Sequence, residues 1–282
     1  MASFLMFGSS VFLYLLTRKA TFTHLSTEVI NLATFFVPLL LYLPLSIQKK
    51  TQLHLSSFHF LIIFLLAFFC AYISNITSLK SIKYAPNPGY SLILSKSYVV
   101  LTAIVAVLFF RSPITLKSTL AILIILGFSI LITVGKNIIH KHSNPIWLPY
   151  AFVSFFGWGM LSIGTKYAFS IGINIYQRLI YLAVLVSIFI IIEMIVKKTK
   201  VNNITFKNIL LLFTIGIFSA FFNYFMMVAL DLAPNIGYVN AINASSISMV
   251  TIFSALLFKD EFTIKKFLGV LGVTAGLILL VI

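Results

Sequence analysis

Long apolar runs, broken only by short polar stretches, constrain this chain more than any other feature. They fall at 2–17, 27–47, 58–79, 88–110, 117–135, 147–168, 175–196, 207–230, 236–258 and 264–282. Most have the roughly 20 residues that a helix needs to cross about 30 Å of hydrocarbon. Strands of a transmembrane barrel would alternate with a period of two instead of running unbroken. Composition agrees: 9% of residues are charged, where a soluble domain carries roughly 25%. So much apolar surface requires lipid around it. The expected fold is all-α and integral to the membrane, with ten transmembrane helices and no loop long enough for a separate soluble domain.

The net charge of +15 comes from 20 Lys and Arg against five Asp and Glu. The cations stand singly or in pairs between apolar runs, where they meet anionic headgroups. The implied partner is therefore the bilayer, not nucleic acid. Cys70, in an apolar run, is the only cysteine, so no internal disulfide forms. The run to Leu16 has no charge before it, and Arg18-Lys19 follow it. That order does not fit a signal peptide and is read as a short first helix.

The chain repeats itself. A shift of 148 residues lays Ala85-Pro86-Asn87-Pro88-Gly89-Tyr90 on Ala233-Pro234-Asn235-Ile236-Gly237-Tyr238. The same shift pairs Thr17-Arg18 with Thr165-Lys166, and Lys49-Lys50-Thr51 with Lys197-Lys198-Thr199. It also pairs Asn75 with Asn223, Thr115 with Thr263, and Lys117 with Lys265. Apolar coincidences are common between membrane helices; polar and Gly/Pro matches in one register are not. The expected organisation is a first five-helix repeat over 1–134, a connecting loop and start of helix six over 135–148, and a second repeat over 149–282. An odd number of spans per copy inverts the second copy, an architecture common in secondary transporters. A duplicated scaffold without transport is the alternative.

These features resemble the drug/metabolite transporter superfamily, in its ten-helix EamA-like form. The resemblance rests on Phe258-Lys259-Asp260-Glu261-Phe262-Thr263, on Gly269, Gly272 and Gly276, on Trp158-Gly159 followed by Lys166, and on Tyr84-Ala85-Pro86. It covers nearly the whole chain. It implies a plasma-membrane transporter with both termini cytoplasmic, and a cavity lined by helices one, three, four, six, eight and nine. Two departures stand out. Arg111-Ser112-Pro113-Ile114-Thr115 lacks the family's glutamate, and a proline often found in helices four and nine is replaced by Ser95-Lys96-Ser97-Tyr98 and Asn243-Ala244-Ser245-Ser246. Substrate preference is therefore not carried over from typical members.

Ionisable groups at membrane depth are functional candidates by default. Lys96 lies about eight residues into its run and suits an anchor for an anionic group; a snorkelling or carbonyl-paired lysine is the alternative. Asn240 and Asn243 are three apart and share a helix face. They suit a polar ligand or interhelical hydrogen bonding equally. Asn75 and Asn223 occupy equivalent positions, as substrate contacts or as packing. Arg18, Lys19 and Lys166 close helices one and six, where they complement the helix dipole or draw an anion to the cavity. Tyr90 and Tyr238 are expected at the membrane interface.

The five carboxylates are Glu28, Glu193, Asp231, Asp260 and Glu261, at span ends or in a loop. A cation-binding pocket or proton relay needs a buried acid, and none is evident. The expected substrate is thus a small polar anion or zwitterion moved by alternating access. Export of hydrophobic or cationic compounds is the alternative. No Gly-rich phosphate loop, His-Glu-x-x-His or Gly-x-Ser-x-Gly occurs, so no enzyme, cofactor or metal is expected. The expected state is a monomer or homodimer. Lys and Arg number six in loops on the side of the termini and 13 on the other. By the positive-inside rule this count alone puts the termini outside, against the orientation that the resemblance implies.

Overall fold

The computed structural model describes residues 1–110, 115–133, 144–199, 204–232 and 236–281. Among them the helices fall into ten rods and no strand occurs. These are α1 (Ala2–Thr21), α2 (Thr27–Gln48), α3 (Ser57–Tyr84), α4 (Pro88–Lys96 continued by Tyr98–Phe110) and α5 (Leu116–Thr133). The rest are α6 (Trp147–Ser170), α7 (Ile175–Val196), α8 (Phe206–Leu232), α9 (Ile236–Phe258) and α10 (Ile264–Val281). Four of them, α2, α3, α7 and α8, are long and apolar enough to cross a membrane by length and composition. Residues 111–114 and 233–235 and the stretch His140-Lys141-His142 lie outside the described residues. Observed helices α1 and α3 run several residues past the apolar runs, because Thr17–Thr21 and Lys80–Tyr84 complete their last turns in protein contact rather than in lipid.

Helix bounds recur at the sequence shift. Adding 148 to the bounds of α2, α4 and α5 gives those of α7, α9 and α10. Local chemistry recurs with them. Ser26 caps α2 by accepting from the Val29 amide, and Asn174 caps α7 by accepting from the Gln177 amide. At the other ends Lys50 and Lys198 take left-handed φ of 49° and 48°. Around them Lys50 N donates to Ile47 O and Thr51 N to Ser46 O, as Lys198 N does to Ile195 O and Thr199 N to Met194 O. This left-handed cap satisfies the last orphan carbonyls of a helix. Packing recurs as well: α1 lies on α8 and α3 on α6, while α2 meets α7 and α5 meets α10.

Burial runs opposite to that of a soluble protein. Phe4, Phe12, Phe58, Phe69, Phe152, Phe156, Ile192, Phe213 and Leu256 point outward, while Ser10, Asn31, Ser74, Ser81, Ser91 and Ser254 are buried. Contiguous outward apolar surface on this scale needs a lipid partner. Without a hydrophobic force between helices, close approach comes from small residues. Gly269, Gly272 and Gly276 serve α5–α10: a Cβ on Gly272 would lie 2.2 Å from the Phe128 ring. Gly216 of α8 meets Val37 and the Ala33 carbonyl of α2 in the same way.

Two helices are irregular where they face the interior. Residues Leu66–Tyr72 of α3 are π-helical, a distortion often found at functional sites. Helix α4 breaks at Ser97, whose amide and hydroxyl both bond to the Ile93 carbonyl. Ser95 also donates to its own helix, to Leu92 O. Serine back-bonding of this kind bends helices. This break lies next to Lys96.

Candidate functional site

A cavity of about 120 Å³ lies between the helices, room for several waters or a small metabolite, since one water needs roughly 10–15 Å³ on this measure. Its lining comes from α1, α3, α4, α6, α8 and α9, and also from α2 and α7. Lys96, Arg178, Asn75, Asn223 and Asn243 face it, with Tyr98, Thr34, Ser162, Thr165 and Ser219. Aromatic walls are formed by Tyr14, Phe35, Trp158 and Phe222. No carboxylate among the described residues lines it.

Lys96 is 1% exposed, which excludes snorkelling to an interface. Its ammonium donates to Asn243 Oδ1 at 2.6 Å and lies 4.5 Å from the centroid of the Tyr14 ring. Phe222 offers a second ring face at 5.6 Å. A hydrogen bond to a charged group contributes about 1.5–3 kcal/mol, and a desolvated cation over an aromatic face about 2 kcal/mol. Together these offset part of the cost of burying the charge without an acid. Asn240, by contrast, stands behind the wall: it accepts from Tyr98 Oη at 3.0 Å and donates to Ser162 Oγ at 3.1 Å. It ties α9 to α4 and α6.

Asn75 and Asn223 both face the cavity but bond differently. Asn75 Nδ2 donates to Asn31 Oδ1 and, at 3.3 Å, to Thr34 Oγ1. Asn223 Nδ2 donates within its own helix to Ser219 O at 2.9 Å. The Asn75 side chain thus braces α3 on α2, while Asn223 bonds back to Ser219 in its own helix.

The three helix-end cations separate. Lys19 is exposed and takes no part. Lys166 donates to Leu230 O at 3.4 Å. Arg18 is buried, donates to Ile82 O at 2.6 Å, and pairs with Asp260 at 2.6 Å. Leu230 and Lys166 are the repeat partners of Ile82 and Arg18. The two ends therefore share one carbonyl contact, and the acid is added at only one. Around Asp260 the turn between α9 and α10 docks on the turn before α4. Glu261 N donates to Pro86 O, and the Glu261 carbonyl accepts from Asn87 Nδ2 and Tyr90 Oη. Tyr90 is fully buried in this joint. The interface position expected for it is corrected: its hydroxyl is needed by a backbone carbonyl inside the protein. The side chain of Tyr238 lies outside the described residues.

Arg178 was legible only as one more cation near a loop. It sits in the first turns of α7, 3% exposed, with Nη2 donating to Thr165 Oγ1 at 3.2 Å. The available signal was its place four residues after the Asn174 cap, where the helix dipole disfavours a cation.

Residues 145–282 match the EamA-like transporter family. This half of the chain belongs to that family. That match agrees with the multi-pass membrane transporter of the drug/metabolite type that the resemblance implied. No curated protein sequence matches the chain. Among the solved structures, 28 chains match. One, a crystal structure, superposes with a TM-score of 0.71 over 99% of this chain and 96% of its own length, at 10% sequence identity. That identity speaks for the fold alone, which the two chains share over nearly their whole length.

Proposed function

We propose that this protein is a secondary transporter that carries a small anionic or zwitterionic metabolite across the plasma membrane by alternating access. The single observation behind this reading is the lining of the cavity: among the described residues Lys96 and Arg178 face it and no carboxylate does. A site for organic cations would put an acid there, because a buried charge needs an opposite one. All ten rods are taken as membrane spans, in two inverted five-helix repeats. The recurrence of helix bounds, caps and the Arg18/Lys166 contacts at one shift supports this arrangement. Inverted repeats give alternating access by exchanging the packing of the two halves around a central site. In the present state the Arg18–Asp260 end is the closed one.

Uptake by proteoliposomes tests the reading. Organic anions are expected to accumulate, and Lys96→Ala is expected to abolish that uptake. Transport of organic cations that Lys96→Ala leaves unchanged would overturn it. Orientation follows the resemblance, with both termini cytoplasmic. Lys19→Cys in a Cys70→Ser background then labels from outside the cell; labelling only from inside reverses the topology.

A further inference from the structure

Two buried cations share one cavity, and the fold requires neither. The repeat partner of Lys96 is Ala244, and that of Arg178 is Ile30; both partners are buried and apolar. Equivalent places in the duplicated architecture are thus filled without charge. The helix dipole argues against a cation at Arg178, which lies at the positive end of α7. Each charge taken out of water carries a penalty of several kcal/mol unless it is compensated. Yet the ion pairs among the described residues engage Arg18, Lys197 and Lys266, not Lys96 or Arg178. Lys96 has an amide oxygen and ring faces; Arg178 has one threonine hydroxyl, and its Nε has no hydrogen-bond partner. Guanidinium donors left over in a buried cavity match the two oxygens of a carboxylate or phosphoryl group, which they bind as a fork.

Resting on the anion-carrier reading above, we infer that the substrate is a small organic dianion, one acidic group held by the Arg178 guanidinium and the other negative charge by Lys96. Dicarboxylates and phosphate monoesters share this chemistry. Asn243, already bonded to Lys96, orients the ammonium, and Asn223 and Ser219 line the space between the helices that carry the two cations. A ligand of charge −2 neutralises the cavity, whereas a monoanion leaves one cation uncompensated.

The test is ligand binding to the purified full chain in lipid nanodiscs, read as a shift in melting temperature and by calorimetry. The probes are succinate, glycerol 3-phosphate, acetate and choline. Succinate or glycerol 3-phosphate is expected to bind at least about tenfold more tightly than acetate, and Arg178→Gln to remove that margin, a difference of ~1.4 kcal/mol. Arg178→Lys keeps the charge without the fork and is expected to fall between. Which of the two dianions shifts the melt further separates a dicarboxylate from a phosphate substrate. Equal affinity of the wild type for acetate and both dianions overturns the inference and leaves the anion carrier standing; this comparison needs no variant to fold. A shift with choline alone overturns both.

Discussion

Arg178 shows how a single side chain can be set against its surroundings. It lies in the first turns of a helix, in a low-dielectric interior, with one hydroxyl for company. Ile30, at the same place in the other half, is 2% exposed and needs none of this. Arg178→Ile is therefore expected to raise stability in the absence of ligand by about 1–4 kcal/mol, the range seen when buried ionic groups give way to packed apolar ones. The same change should remove anion binding. Thermal unfolding in nanodiscs checks the first half, and a lower melting temperature would mark Arg178 as a stabilising residue instead. Opposite effects on stability and on function are the usual mark of a group kept for its chemistry.

Among the elements, α5 and α10 depend on one another through glycine. A methyl on Gly272 would enter the Phe128 ring, so Gly272→Ala must rotate that ring or part the helices. The expected loss is about 1–3 kcal/mol, as for other overpacked contacts. In a Phe128→Ala background the same change should be nearly neutral; an undiminished loss there would place the strain elsewhere. The caps of α2 and α7 make a matched pair. Lys50 and Lys198 adopt left-handed backbone, which favours glycine. Lys50→Gly and Lys198→Gly are each expected to be neutral or stabilising, by up to about 1 kcal/mol once the greater freedom of glycine in the unfolded chain is offset. Unequal responses of the two would show that their surroundings differ more than their hydrogen bonds do.

For the whole molecule, the decisive feature is an asymmetry between stretches that otherwise recur at the 148-residue shift. Both halves hold a cation against a helix-end carbonyl, but only Arg18 also meets an acid. Joined to it, the α9–α10 turn is pinned to the start of α4 through Glu261, Pro86, Asn87 and Tyr90. Asp260→Asn leaves Arg18 buried without a counter-charge, a change that costs about 3–5 kcal/mol for comparable pairs. The closed end should then open more often. Thr17→Cys, on the cavity wall, should react faster with a thiol reagent applied from that side, in a Cys70→Ser background. An unchanged rate would mean that the ion pair fixes the joint without closing the cavity.

Hydropathy determined the class of fold and the number of rods, because lipid demands long apolar helices, and the motifs around 258–276 carried the resemblance to the family that residues 145–282 match. Residue spacing also brought Lys96 and Asn243 into view, since a lysine deep in an apolar run is rare enough to notice. Tertiary structure alone decided which cations share a cavity. Arg18 closes a helix and Arg178 opens one, but neither place in the sequence says what faces the side chain. One finds Asp260, 242 residues away in the chain, and the other finds none. Charge compensation depends on distance in space between helices, and that distance is set by packing and not by order along the sequence.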